Sequence, residues 1–458
     1  MTAEATRATP PWAEADVREA LGLPSKNDGR VFTSVSTDTR TIAPGSLFVA
    51  LSGERFDGHQ YLAAAAAAGA SAALVRPATP PVAGLALFEV PDTLRAFGLL
   101  ARARRRRIRG PVIAITGTNG KTSTKEMLAS VLGTRYRTYA TRANLNNLVG
   151  VPLTILEAPL ETEALVVEAG ANLPGEIARY REIIEPDIAI VTNTVAGHLE
   201  GFGSLAGVMA EKLGLTDGVA LAIVGVDPPN LAEKARRRAR RVVTAALRDA
   251  EVTPERVEPG PDARFTVTID GVSFTLAARG LHQADNSIRV WAAVRALGLD
   301  PQQAAEALER FALPTGRGEL LQEAGLTIFN DCYNANPQSF RAAIETARAL
   351  RGRRRLVFVA GTMRELGQAS AQLHGDVARS LVELEPDLLA VVGEFVPALA
   401  PYASRLGDRL LTAPDAVTLA PLLSDRLHGD EVIVLKASRG VALERILPAL
   451  HARANSPR

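Results

Sequence analysis

The chain has 458 residues, 47% hydrophobic and 22% charged, and a formal net charge of +2. Length and composition fit about three globular domains and exclude a disulfide or zinc mini-module, a mostly disordered chain and a membrane channel. Of the 52 basic residues only six are Lys, a skew attributed first to base composition, and a lysine retained against it is a candidate for chemistry that a guanidinium lacks.

In chain order, segments 31–36 and 47–51 predict short strands, and 61–73 predicts an Ala-rich helix running into a strand at 72–75. The longest apolar stretch, 62–75, falls short of the ~20 residues that span a bilayer. Residues 1–16 have no apolar signal core, and the expectation is a cytoplasmic protein with no membrane insertion. Arginine runs at 102–107 and 236–241 lack interleaved aromatics, which predicts solvated helix faces and no nucleic-acid surface. Past Pro111, an apolar strand at 112–116, a Gly-containing turn and a helix at 121–132 make a phosphate-binding context. Segments 164–168, 187–193 and 221–225 predict further strands of an open parallel sheet, whose ligands sit at strand carboxyl ends.

Segment 251–262 is Pro- and charge-rich and predicts a surface loop. Residues 264–277 alternate around Asp270-Gly271 as a β-hairpin does, and 281–297 predicts a helix ended by Gly298. Apolar runs at 326–330, 356–360, 388–392 and 432–435, separated by helical segments, predict a second doubly wound domain. The expected fold is therefore α/β in three domains. Residues 1–108 form a small N-terminal α/β unit, 109–315 a central P-loop parallel-sheet domain, and 316–458 a C-terminal Rossmann-like doubly wound domain. Cys332 is the single cysteine, which excludes an intrachain disulfide and suits a reducing compartment.

Gly117-Thr118-Asn119-Gly120-Lys121-Thr122-Ser123 opens the central helix. Small residues let backbone N–H groups approach phosphate oxygens, the helix N-terminus adds positive potential, Lys121 reaches terminal phosphates and the Thr122 hydroxyl can ligate Mg²⁺. The spacing departs from the common P-loop, because only Thr118 and Asn119 separate Gly117 from Gly120. Gly-Lys-Thr opening a helix after an apolar strand still predicts ATP binding. Glu168 closes one strand and His198 follows another, so the two can converge on a metal beside the phosphates. Each alone is a weak signal: a strand-end Glu is more often a solvated carboxylate, and His198 alone reads as a hydrogen-bonded loop residue.

Further motifs extend the pattern: Lys125-Glu126-Met127, Asn144-Leu145-Asn146-Asn147 with Gly150-Val151-Pro152, Glu168-Ala169-Gly170-Ala171-Asn172, and Gly175-Glu176. Asn193 and His198-Leu199-Glu200-Gly201-Phe202-Gly203-Ser204 follow. Together with the phosphate loop these resemble the Mur ligases, ATP-dependent amide-forming enzymes of peptidoglycan precursor synthesis. The likeness runs from about Thr37 to Glu444. Within the family it leans toward the branch that adds a terminal dipeptide. Thr37-Asp38-Thr39-Arg40, Phe48-Val49-Ala50-Leu51 and Gly53-Glu54-Arg55-Phe56-Asp57-Gly58-His59 resemble that branch's N-terminal domain. Asp331-Cys332-Tyr333-Asn334-Ala335-Asn336-Pro337 and Met363-Arg364-Glu365-Leu366-Gly367 with His374 resemble its C-terminal domain. The Asp-Asn-Pro-Arg signature of the branch that adds a third-position diamino acid does not occur.

The resemblance implies that residues 117–123 hold the ATP phosphates, that Thr122 and Glu168 ligate one Mg²⁺ and His198 a second, and that Lys121, Glu168, His198 and Lys212 serve catalysis. Lys212 matches a lysine that the family carbamoylates, which would make it a further metal ligand; taken alone it reads as a helix-surface lysine. Asn286, Arg317 and Asp331 match nucleotide-contacting positions, with Gln283 standing where the family has Asn. Thr37, Asp38, Arg40, Phe48 and His59 are implied contacts to the uridine diphosphate end of the substrate. Asn146, Asn147, Tyr333, Asn334, Asn336, Lys436, Ser438 and Arg439 are candidates for peptide contacts, with Ala437 replacing a family Gly. The implied reaction joins D-alanyl-D-alanine to UDP-N-acetylmuramoyl-tripeptide through an acyl phosphate, using ATP and two Mg²⁺ ions, in a protein expected to be monomeric. The rival readings are another amide ligase of the superfamily, such as a folylpolyglutamate synthase, and a P-loop nucleotide switch without acceptor chemistry.

Overall fold

The structure is a computed structural model that describes residues 11–26, 29–53, 56–197, 199–323 and 325–454. After helix α1 (Glu14–Leu21), strands β1 (Val35–Ser36), β2 (Leu47–Val49), β3 (Ala72–Val75) and β4 (Ala86–Glu89) pair in that order into a small parallel sheet. The Ala-rich segment gives a helix, α2, of six residues (Leu62–Ala67) rather than the longer one expected. Gly69 ends it at φ +102°, where an added Cβ would lie 3.1 Å from Pro44 Cα. Because all four strands are parallel, the segments after them gather at one edge: 37–40, 50–53, Arg76 and Asp92.

Helix α3 (Thr93–Arg105) leads into the central sheet. Its strands are β5 (Val112–Thr116), β6 (Thr138–Ala140), β7 (Ala164–Glu168), β8 (Ile188–Val191), β9 (Leu221–Val224) and β10 (Val242–Thr244). All are parallel, in the order β6-β7-β5-β8-β9-β10. Every residue of β5, β7, β8 and β9 is buried, as the unbroken apolar runs of a doubly covered parallel sheet require. Between them lie α4 (Lys121–Leu132), α5 (Gly150–Glu157), α6 (Glu176–Ile184), α7 (Leu199–Phe202), α8 (Leu205–Leu213) and α9 (Leu231–Arg236). One apolar core runs from Leu47, Leu74 and Phe88 of the small sheet through Phe97 and Leu100 of α3 to Val112 and Val167.

The expected loop at 251–262 contains a strand, β11 (Arg256–Pro259), antiparallel to β12 (Arg264–Ile269), which forms the hairpin with β13 (Val272–Arg279). Charged and Pro residues are tolerated there because β11 lies at the sheet edge. Helices α10 (Leu281–Leu297) and α11 (Pro301–Arg310) follow.

The last sheet comprises β14 (Glu319–Glu323), β15 (Leu326–Asp331), β16 (Leu356–Ala360), β17 (Leu388–Val392), β18 (Leu410–Ala413) and β19 (Val432–Lys436). Its order is β14-β15-β19-β16-β17-β18, parallel except for β14. Helices α12 (Pro337–Arg351) and α13 (Ser370–Glu383) belong to this layer. Among the described residues no helix is long and apolar enough to cross a membrane.

The 102–107 arginine run is only partly the solvated face expected: Arg106 and Arg107 are exposed, whereas Arg104 and Arg105 are covered. Arg104 is buried and donates to the carbonyls of Ala158 and Pro159. Arg102 and Arg106 donate to the Glu185 carboxylate, and Arg105 to the carbonyls of Ile184 and Glu185. Of these, Arg105 satisfies the free carbonyl end of α6, where positive charge is favoured, and Arg104 the carbonyls that follow α5. The 236–241 run is solvated as expected, its ion pairs to Glu251 and Glu233 being exposed, but it begins at the last residue of α9 and continues beyond the helix.

Candidate active site

The turn after β5 is shaped by two glycines. Gly120 caps α4 at φ +81°, and a Cβ there would lie 2.5 Å from Asn286 Oδ1; at Gly117, φ +143°, a Cβ would lie 2.0 Å from Thr192 Oγ1. Both positions thus require glycine for backbone conformation and for space. The loop is further held by Thr192 Oγ1 donating to Asn119 O and by Asn119 N donating to Asn193 Oδ1. Lys121 Nζ donates to the carbonyls of Gly117 and Thr118, at 2.9 and 3.0 Å. Burial lowers its pKa, with Glu168 opposing.

Glu168 is buried at the end of β7. Its Oε2 accepts from Thr122 Oγ1 and its Oε1 from Asn146 Nδ2, both at 2.8 Å. Asn146, expected at the peptide, therefore touches the carboxylate expected to hold metal. Asn147 Oδ1 accepts from the backbone N–H groups of Val149 and Gly150 and so closes the turn that leads into α5. A hydroxyl and one carboxylate beside a phosphate loop suit Mg²⁺, which keeps waters and phosphate oxygens as its other ligands. Among the described residues no three His, Cys, Asp or Glu groups converge as a protein-only metal cage. His198 lies outside the described residues.

Lys212 is fully buried on α8, which removes the surface-lysine reading. Its Nζ donates to Ala171 O at 3.0 Å and lies 5.3 Å from the centroid of the Phe202 ring. Desolvation, with the nearby Lys121 charge adding to it, brings its pKa down to about 7. The segment carrying Ala171 is held by two carboxylates, Glu176, quoted only within a motif, and Glu211, which sequence reasoning missed: Glu176 accepts from Asn172 N and Leu173 N, and Glu211 from Gly175 N and Ile177 N. Lys125 was quoted only as part of a motif. It is buried, and its Nζ donates to Thr141 O, while Thr141 Oγ1 accepts from Glu168 N.

The C-terminal layer meets the phosphate loop directly. Asn336 caps α12 and its Nδ2 donates to Asn119 Oδ1 at 2.6 Å, while Asn119 Nδ2 donates to Gln338 Oε1 at 2.7 Å. Asn336 is thus a cap and a bridge between layers. Lys436 Nζ donates to Asp331 Oδ2 and Asn334 O, both at 2.7 Å, which sets the shape of the 331–336 segment. Ser438 Oγ accepts from Arg364 N, and Asn334 Oδ1 from Ala335 N. The Tyr333 ring has Arg317 Cζ at 3.9 Å and Arg439 Cζ at 5.1 Å from its centroid, within cation–π range. Burial holds the lone Cys332 thiol unreactive, its pKa pushed up to about 12. A cavity of about 690 Å³ joins the phosphate loop, Glu168, Asn146, Asn286, Arg317, Asp331 and Tyr333. Asn286 is buried there and donates to Gln283 Oε1 at 3.2 Å, so the unusual Gln283 supports it.

The uridine-diphosphate candidates separate. Phe48 is buried in the core of the small sheet with Leu62 and Ala65 of α2, so it is a packing residue and not a ligand contact. His59 Nδ1 bonds to Asp57 Oδ1 and its Nε2 accepts from Arg76 N, so both ring nitrogens are engaged. Asp38 and Arg40 form a bidentate pair at the sheet's carboxyl edge, and Arg40 holds the Asp38 carboxyl down to about 2. Thr37 stands beside them, half-buried.

Three family descriptions match the chain: the Mur ligase family catalytic domain over residues 31–105, the Mur ligase middle domain over 115–294, and the Mur ligase glutamate ligase domain over 316–439. The UDP-N-acetylmuramoyl-tripeptide–D-alanyl-D-alanine ligase of Bacillus subtilis is 33% identical, the match covering 92% of this chain and 93% of that one. A crystal structure of MurF from Acinetobacter baumannii superposes with a TM-score of 0.87 at 30% identity, covering 97% of this chain and all of that one. The MurF ligase of Thermotoga maritima in complex with ADP gives 0.80 at 26%, covering 92% and 97%.

Proposed function

The chain belongs to the Mur ligase family, and we propose that it joins D-alanyl-D-alanine to UDP-N-acetylmuramoyl-tripeptide in an ATP-dependent, ADP-forming ligation. The observation that carries this reading is the meeting of the phosphate loop with the 331–338 segment in one cavity, through Asn119, Asn336 and Gln338. A nucleotide switch needs the first element; only a group-transfer enzyme needs an acceptor platform against it.

In this reading the tripeptide's terminal carboxylate attacks the γ-phosphate of ATP, ADP leaves, and an acyl phosphate forms. The dipeptide's free amine then attacks the acyl carbon, phosphate departs, and the amine proton is lost as the amide forms. Lys121 exchanges its loop carbonyls for phosphate oxygens, and the N-terminus of α4 adds fixed positive potential. Mg²⁺ bound through Thr122 and Glu168 would supply charge neutralisation between carboxylate and triphosphate. Asn146 orients Glu168, and Asn286 with Arg317 and Asp331 holds the nucleotide. Tyr333 and Arg439 face the incoming dipeptide, whose carboxylate suits a guanidinium. Closure of the C-terminal layer keeps water from the acyl phosphate.

The buried amine of Lys212, free of its proton in part near neutral pH, can take up CO₂ and become an anionic carbamate, a route closed to guanidinium. His198 is proposed as the second metal's ligand. We place the unit limits at 1–108, 109–315 and 316–458, and the protein in the cytoplasm as a monomer. The test is phosphate release with UDP-N-acetylmuramoyl-tripeptide, with and without D-alanyl-D-alanine, and the mass of the product. A dipeptide-dependent product supports the assignment; ATP hydrolysis or binding without it overturns it.

A further inference from the structure

A buried lysine outside the cavity ties the phosphate-loop helix to the carboxylate that the ligase reading gives to metal. Thr122 and Lys125 stand three residues apart on α4, the spacing that puts two side chains on one helical face. Thr122 Oγ1 reaches the Glu168 carboxylate directly. Lys125 is buried and does not line the cavity, so any part it has in the reaction runs through another residue.

Its reach is to the backbone of the same glutamate. The β6–β7 ladder ends with Ala140 opposite Val166. One residue on, Thr141 N donates to Val166 O at 3.0 Å, and the Thr141 hydroxyl accepts from Glu168 N at 2.9 Å. A side chain thus takes the place of a strand carbonyl at the last residue of β7. The Thr141 carbonyl accepts instead from Lys125 Nζ at 2.7 Å, and Glu126 Oε1 accepts from the same nitrogen at 2.5 Å. One compact nitrogen bridges two acceptors here, an arrangement that the planar fork of arginine does not reproduce. On the other flank Ala169 N donates to Ile115 O and Thr116 Oγ1 to Ala169 O, each at 2.8 Å. The end of β7 is therefore held from β5 on one side and on the other by Thr141, whose orientation depends on Lys125. Mg²⁺ demands near-ideal octahedral geometry, so a shift of that one edge is enough to misplace a ligand.

We propose that Lys125 is a positioning residue for the metal ligand, fixing Glu168 through Thr141. The inference deepens the ligase reading, on whose metal assignment it rests.

The test uses the full-length protein with ADP present and Mn²⁺ as the probe, its binding read by electron paramagnetic resonance, which needs no turnover. Glu168→Gln sets the signal for loss of the ligand itself. Lys125→Met, which keeps length and apolar bulk, is expected to weaken Mn²⁺ binding roughly ten- to a hundredfold, the usual cost of removing an outer partner of a metal ligand. Thr141→Val should match it, Thr141→Ser should stay near wild type, and the Lys125→Met/Thr141→Val pair should fall no further than either single variant, as for two links of one chain. Val131→Ala, which opens a cavity in the core beside the same helix, should lower the melting temperature and leave Mn²⁺ affinity unchanged. Steady-state kinetics of Lys125→Met should show a raised Mg²⁺ requirement with KM for D-alanyl-D-alanine unchanged. Wild-type Mn²⁺ affinity in Lys125→Met, losses that multiply in the double variant, or an equal loss in Val131→Ala would each overturn the proposal. If Lys125→Met does not fold, Thr141→Val decides alone, and wild-type Mn²⁺ affinity there overturns it. Wild-type Mn²⁺ binding in Glu168→Gln would overturn the metal assignment and this inference with it. Absence of dipeptide-dependent product from the wild type would overturn the ligase reading instead, and the Mn²⁺ measurement would still stand.

Discussion

Substituting Gly120 by Ala tests the shape of the phosphate loop with a single methyl group. The residue sits at φ +81°, and a side chain in the left-handed region costs about 1–2 kcal/mol. The new Cβ would lie 2.5 Å from Asn286 Oδ1 and 2.9 Å from its Nδ2, so Asn286 must move. Asn286 is buried and donates to Gln283 Oε1; breaking that bond costs about 0.5–1.5 kcal/mol and an off-rotamer side chain about as much again. The sum is about 2–5 kcal/mol, enough to lower the melting temperature by several degrees and weaken ATP binding by at least about tenfold. Thermal denaturation and calorimetric titration with ATP measure both. The double variant Gly120→Ala/Asn286→Ala removes the clash, and its melting temperature should exceed that of Gly120→Ala alone. Wild-type stability and ATP affinity in Gly120→Ala would refute the packing of the loop against α10.

The same Gly→Ala change has the opposite sign at Gly375, inside α13, where no atom lies within 4 Å of the added Cβ; a gain of about 0.5–1 kcal/mol in denaturant unfolding is expected, and a loss would contradict the helix geometry. Lys212→Arg should cut amide formation by at least about a hundredfold while calorimetry still detects ATP, since guanidinium cannot form a carbamate; full activity would remove the carbamate from the account. Glu185 is held down to about 2 from its ordinary 4.5, first by Arg106 and then by Arg102. Its stabilising effect is present above 4.5 and lost as pH falls toward 2, so Glu185→Gln should flatten the acid limb of the stability curve. An unchanged limb would show that the arginine clasp contributes nothing.

Local pattern made much of the fold legible. The helix 121–132 and the strands 112–116 and 164–168 have the predicted limits, because continuous apolar runs and Gly-Lys-Thr act over a few residues. What escaped depends on partners distant in sequence. Arg104 and Arg105 read as solvent-facing because the carbonyls they bind, at Ala158 and Ile184, lie more than fifty residues away. Phe48 is an implied contact to the uridine diphosphate end only through its family motif; its burial against Leu62 and Ala65 follows from the strand's facing, which the motif does not state. The Asn119 bridge to Asn336 and Gln338 joins two layers across more than two hundred residues, so no spacing rule reveals it. The family resemblance supplied the roles of Lys212 and Glu168; the structure supplies the burial and hydrogen bonds that make those roles chemically reasonable.

The most direct measurement of the central claim uses UDP-N-acetylmuramoyl-tripeptide labelled with ¹⁸O in its terminal carboxylate, incubated with ATP and D-alanyl-D-alanine, with mass spectrometry of both products. Ligation through an acyl phosphate predicts a dipeptide-extended product and one ¹⁸O atom in the released phosphate. Unlabelled phosphate, or phosphate released without the extended product, would contradict it.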